Sequence, residues 1–173
     1  MKNFKPTELI KCYRERKQDR CAECRLTGPA HGLPNGTEAN IESLVDNVLD
    51  PAREQFGKPI YVNSGFRCPL HNTTVGGVPK SQHIAGEAAD ITAGGLTAYG
   101  LPLTEDERRA ENLKLAKIIA AQGKFDQIIL YVNSSTSLEP RFIHVSYKRN
   151  GDNRHCILKQ IAGQKTYTEV PSL

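Results

Sequence analysis

The chain reads as an α+β protein with a small, mainly antiparallel sheet late in the sequence and helices flanking it. Three observations predict this. An apolar stripe at helical spacing runs through Ile41, Leu44, Val45, Val48, Leu49 and Phe56. A capping box, Thr104-Glu-Asp-Glu107, opens a second helix that continues to about Gln122. After it, Gln127–Val132 and Phe142–Ser146 are short runs with strand composition. With 173 residues the chain is long enough for one domain with a real core.

Residues 1–36 read as an irregular segment carrying a cysteine cluster, and 37–173 as the folded domain. Phe4–Tyr13 has the makings of a short helix with Thr7 as its cap. A stretch rich in Gly, Pro and Cys follows and ends at the turn signal Pro34-Asn-Gly36. Thr37 or Asn40 suits the cap of the first long helix, and Gly57-Lys-Pro59 ends it. Pro59–Val62 predicts a strand, as does Ala88–Ile91. Between them, Asn63–Gly95 is full of Gly, Ser, Pro, His and Asn, the composition of a loop carried on a rigid scaffold. His155–Ile161 and Thr166–Val170 are expected to close the sheet.

Composition excludes several classes of function. Apolar residues make up 38% of the chain, and no run of about 18 of them exists to span a membrane. A net charge of +4 is too small to mark a nucleic-acid partner. The polar segment Met1–Leu9 lacks the apolar core of a secretory signal. The expectation is a protein made in the cytoplasm that reaches its target by another route. Five cysteines, an odd number, then read as reduced thiols. Cys12, Cys21, Cys24 and His31 carry part of the donor set of a small structural metal site, but the second ligand pair at set spacing is missing.

The chemistry gathers in two places. His83 and Asp90 sit in the S-x-H-x6-D pattern that begins at Ser81, and His144 sits in Phe142-Ile-His-Val-Ser146. Two imidazoles and one carboxylate form a catalytic zinc set that leaves a fourth position open for water. Strand alternation places Ile143 and Val145 on one face and His144 on the other, with Phe142 and Ser146. The small residues Ala85, Gly86, Ala88 and Ala89 let two backbone segments approach closely enough for both His83 and Asp90 to reach one ion.

A longer series of motifs carries a resemblance. Val62-Asn-Ser-Gly-Phe-Arg-Cys-Pro69 is followed by Asn72-x-x-Val-Gly-Gly77 and Ser81-x-His-x-x-Gly-x-Ala-x-Asp90. Phe125-Asp-Gln127 and Ile143-His-Val-Ser146 complete the series. It resembles the zinc D-Ala-D-Ala carboxypeptidases and L-Ala-D-Glu endopeptidases, a family that includes phage endolysins and the vancomycin-resistance dipeptidase. The resemblance covers about residues 38–148. It implies the hedgehog/DD-peptidase fold, Zn2+ as cofactor and a stem peptide of peptidoglycan as substrate. It implies His83, Asp90 and His144 as metal ligands, Arg67 against the scissile carbonyl, and Ser81 in the substrate groove. It also implies a phage or prophage lysin, released through a holin or carried in a virion beside other virion proteins. The alternative is a non-catalytic virion or wall-binding protein that retains the fold.

One position departs from the pattern. Members often carry an acid three residues before the last histidine, as general base, and Arg141 stands there. Glu139 is the nearest acid and is expected to take the role if the chain bends at Pro140; Asp126, Glu87 and Asp152 are weaker candidates.

Overall fold

The computed structural model describes residues 1–10 and 33–173. Cys12, Cys21, Cys24 and His31 lie outside the described residues. Helix α1 (Pro6–Leu9) is a single turn with Lys5 at its N-cap and Pro6 at its first position, so Thr7 lies inside the turn and is not its cap. The long apolar stripe forms α2 (Thr37–Leu44), a π-helical stretch Val45–Leu49, and α3 (Asp50–Phe56). Gly36, not Thr37 or Asn40, is the N-cap, and Thr37 is already helical with its side chain buried. The π stretch has a local cause. Pro51 has no N–H to donate one turn back, and its ring crowds the preceding turn, so the helix widens just ahead of it. Gly57 ends the run in the left-handed region.

The sheet has six strands in the order β1-β2-β4-β3-β5-β6. They are β1 (Ile60–Ser64), β2 (Ala88–Ala93), β3 (Gln127–Val132), β4 (Phe142–Ser146), β5 (Cys156–Ile161) and β6 (Tyr167–Glu169). Four of the pairings are antiparallel, but β5 runs parallel to β3, so the sheet is mixed rather than antiparallel throughout. The reason lies in the connection. β4 returns along one side of β3, and residues 147–155 carry the chain over to the other side before β5 begins.

Two short helices, α4 (Pro69–Thr74) and α5 (Gln82–Ala85), occupy the loop between β1 and β2. The capping box of Thr104 and Glu107 opens α6 (Glu105–Gln122), with both reciprocal backbone bonds in place. No helix among the described residues is long and apolar enough to cross a membrane.

Alternation divides the sheet. Ile91, Ile143, Val145, Ile128 and Leu130 face a core completed by Leu44, Leu49, Leu115 and Ile119 from the helices. The intervening residues Asp90, His144, Ile129 and Tyr131 face the other way, into a cleft. Phe4 and Leu9 belong to the same core, so residues 1–10 pack as part of the domain rather than as a separate segment.

Buried polar side chains hold the strands that carry the cleft. Asn112 of α6 is fully buried. Its Oδ1 accepts the Ala93 N–H at 2.7 Å, and its Nδ2 donates to the carbonyls of Pro140 and Arg141 at 2.9 and 3.0 Å. It therefore joins the end of β2 to the entry of β4. Asp126, also fully buried, accepts the backbone N–H and the guanidinium of Arg154 and lies 3.3 Å from the Lys148 ammonium. Burial alone would raise the Asp126 carboxyl, but the hydrogen bonds and charge of Arg154 outweigh it and bring its pKa down to about 2.

Two predictions follow from these anchors. Asn112→Ala leaves buried backbone groups without partners and is expected to cost on the order of 3 kcal/mol, read from the denaturant midpoint. Asp126 has a folded pKa below its unfolded value. Its contribution is therefore present above about pH 4 and fades as the pH falls toward 2. Asp126→Asn is expected to be clearly less stable than wild type at pH 6, with the gap closing in acid. A gap of constant size from pH 6 to 2.5 would contradict this account.

Candidate metal centre

Asp90 and His144 are direct partners in the β2–β4 ladder, so their side chains leave the sheet on the same face. His83 arrives from outside the sheet, on the single turn α5 that Ser81 begins and Gly86 ends. Gly86 has φ +75°, and a Cβ there would come within 2.8 Å of Thr37, so the turn closes against α2 only because the residue is glycine. The chain then passes directly into β2 and brings Asp90 under His83.

The approach of His83 is set by Gly65. The Gly65 carbonyl lies 2.7 Å from Nδ1 of His83, and the Arg67 N–H donates to the His83 carbonyl at 3.0 Å. A Cβ on Gly65 would overlap the Leu9 carbonyl at 2.1 Å, while the next N–H, of Phe66, donates to that carbonyl at 2.6 Å. The N-terminal turn thus braces the loop that orients His83. With its proton on Nδ1, the imidazole turns the lone pair of Nε2 toward Asp90 and His144.

Three donor atoms meet there. His83 Nε2 lies 3.2 Å from Asp90 Oδ1 and 3.1 Å from His144 Nδ1, and the last two are 3.0 Å apart. Tetrahedral ligands at about 2.0–2.1 Å from a zinc ion stand about 3.3 Å from one another, close to this triangle. All three residues are buried, His83 to 2% exposure. One proton cannot satisfy three facing acceptors, whereas one cation can. Their protonation states agree with that role. Burial lowers the His144 pKa, against the pull of Asp90, and favours the neutral imidazole. Burial would raise Asp90, but His83 and His144 overcome it and hold the carboxyl far below the usual range.

Arg67 is tied to this group. Its Nη2 pairs with Asp90 Oδ2 and its Nε donates to Ser64 Oγ at 2.7 Å. The bulge between Val62 and Ser64 in the β1–β2 ladder places Ser64 opposite Asp90. One carboxylate oxygen therefore faces the guanidinium and the other faces the imidazoles. Ser81 and Arg67 both line the cleft, whose volume is about 490 Å³.

The acids proposed from sequence as general base are placed elsewhere. Glu139 is exposed at the end of the β3–β4 loop and does not line the cleft. Pro140 is buried and its carbonyl is held by Asn112, which keeps Glu139 outside. Asp126 is clamped by Arg154, Glu87 lies outside the lining, and Asp152 is exposed. Asp90 is the only carboxylate among the described lining residues, against Arg67, Lys80 and Arg154.

Sequence reasoning missed the far wall, made by Gln127, Tyr131, Arg154, Gln160 and Tyr167. The alternation in β3 was the available signal, since Ile128, Leu130 and Val132 take the core side and leave Gln127, Ile129 and Tyr131 for the other.

Residues 2–102 match the family model described as Peptidase M15. That span holds Arg67, Ser81, His83 and Asp90 and stops before His144. A zinc D-Ala-D-Ala carboxypeptidase of Streptomyces albus G is 54% identical over 65 residues, which is 36% of this chain and 26% of that protein. The shared stretch is thus about a quarter of the relative's length. With more than half of its residues in the family match and a His/Asp/His donor triangle built by them and β4, the chain belongs to the peptidase M15 family.

Proposed function

We propose that this chain is a zinc-dependent peptidase that hydrolyses a peptide bond in the short peptides of peptidoglycan. The observation that carries the reading is the buried triangle of His83 Nε2, Asp90 Oδ1 and His144 Nδ1, with Gly65 and Arg67 bonded to its outer atoms and Ser64 holding Arg67. Zinc held there would act as a Lewis acid and bring the pKa of a water to about 7. Gly65 fixes the tautomer and angle of His83, and Arg67 pairs with the outer oxygen of Asp90 and keeps the carboxylate turned. Nε and Nη2 of Arg67 are committed, and Nη1 is left to steady the substrate carbonyl. Ser81 offers a hydroxyl on the near wall. The excess of cations over carboxylates in the cleft suits a peptide that brings its own carboxylate. The relative's substrate, by its name a D-Ala-D-Ala terminus, is of that kind.

With Asp90 engaged and Glu139 outside, the attacking water gives its proton to solvent. A positioned base is typically worth about 10²–10⁴-fold, so a slow enzyme is expected. The same shortage of a free carboxylate favours the second reading, a wall-binding or virion protein that keeps the fold. A lysin role agrees with the phage endolysins that the motif series resembles, and clearing of permeabilised cells tests it.

Purified protein is expected to carry about one zinc at this site, and His83→Ala or His144→Ala to lose it. Wild type should release amine from wall fragments, and the histidine variants should not. Unchanged zinc in both variants would sink the ligand assignment, and zinc-loaded wild type that releases no amine would favour the binding reading. Glu139→Gln is expected to turn over within about two-fold of wild type, since surface changes away from a site have small effects; a loss of 10²-fold or more would return Glu139 to the mechanism.

A further inference from the structure

The far wall of the cleft carries a hydroxyl that the reading above leaves unused. In the β3–β4 ladder Ile129 pairs with His144 and Tyr131 with Phe142, so Tyr131 leaves the sheet on the same face as the metal-site histidine. Its ring stacks on Phe142, with centroids 4.3 Å apart and planes 16° from parallel, which fixes the direction of the ring. Tyr131 lines the cleft together with Arg67, His83, Asp90 and His144. Its phenol is close enough to feel the charges of both Asp90 and Arg67, and it hydrogen-bonds the Tyr167 side chain, a partner that a substrate carbonyl would replace.

Hydrolysis of a peptide bond puts negative charge on the carbonyl oxygen, and preorganised donors aimed at that oxygen are the largest usual source of acceleration. Here Arg67 has committed two of its three nitrogens to Ser64 and Asp90. A second donor is needed, and it must carry a proton without giving it up.

We propose that Tyr131 is a catalytic residue that donates its O–H as a hydrogen bond to the carbonyl oxygen of the scissile peptide bond as charge develops there. The proposal rests on the peptidase reading. Water oxygen bonds to the carbonyl carbon, and the π pair of the C=O moves onto the oxygen facing Tyr131. When the C–N bond breaks, that pair returns to the C=O, and the amine leaves with a proton equivalent to the one the water gave up. One water is consumed, one carboxyl and one amine appear, and the phenol keeps its proton throughout. Burial, the largest cause, raises the phenol above its ordinary pKa, and the cleft position and the stack on Phe142 set where its O–H can reach.

Tyr131→Phe removes one oxygen and keeps the stack on Phe142. The variant is expected to bind the same one equivalent of zinc and to stay folded, with an unfolding temperature lower by only a few degrees for the lost bond to Tyr167. Its kcat and kcat/KM should fall together by about 10²-fold, the loss typical of one oxyanion donor. Calorimetry supplies a readout independent of turnover. A phosphinate analogue of alanyl-alanine, which places a tetrahedral anion at the reacting carbon, should bind Tyr131→Phe about 10²-fold more weakly than wild type, while alanyl-alanine itself binds both alike. Equal phosphinate affinity in wild type and variant overturns the role of Tyr131, whatever the activity. Zinc-loaded wild type that binds phosphinate tightly but hydrolyses nothing overturns the peptidase reading and the catalytic role of Tyr131 with it, whereas equal phosphinate affinity in an active wild type and the variant overturns Tyr131 alone. Failure of wild type to bind either zinc or phosphinate overturns both.

Discussion

The pairing of β2 with β4 at Asp90 and His144 is the constraint on which the rest of the cleft depends. Side chains alternate along a strand, so a slip of one residue would turn His144 into the core and Ile143 into the cleft. The register is held from both directions. Ile143 and Val145 are fully buried against the helices, and Ala88 through Ala93 are buried on both faces of β2. Asn112 then joins the end of β2 to the residues just before β4, so the two ladders enter together.

Around this pairing the chain assembles an uncommon density of electron pairs. Three acceptor atoms within 3.2 Å of one another repel unless a cation lies among them. The surroundings are arranged to keep them aimed inward. Gly65 takes the outer nitrogen of His83, Arg67 takes the outer oxygen of Asp90, and Leu9 in turn holds the Gly65–Phe66 backbone. The first ten residues thereby take part in the site, where their sequence suggested a short helix within an irregular segment. Their contribution passes through one backbone carbonyl, a contact that side-chain periodicity does not encode.

Much of the scaffold was legible because local chemistry and tertiary packing agreed. The Thr104 box, the strands at Gln127–Val132 and Phe142–Ser146, and the projection of His144 away from the core follow from capping and alternation alone. Thr7, and Thr37 or Asn40, do not cap their helices, for a different reason. Good capping residues stood one or more places inside the helix, and Pro6 and the left-handed Gly36 set the starts instead. The expectation of a largely antiparallel sheet missed the parallel β5, because strand order depends on where a loop lands and not on the strand's own composition.

Motif spacing and strand alternation alone name the candidate donors and the face from which His144 projects. S-x-H-x6-D needs only a short turn, a glycine and a strand to bring two ligands to one point. Tertiary structure decided what surrounds that point. It set Glu139 at an exposed position outside the lining of the cleft, beside a Pro140 pinned by Asn112, and it buried Asp126 against Arg154. It also carried Tyr131, Arg154 and Tyr167 to the far wall through the order β4-β3-β5-β6. Proximity in sequence sets which residues can meet within a few turns of chain. Which residues meet across a sheet depends on burial of the whole apolar face, and that is a property of the folded chain.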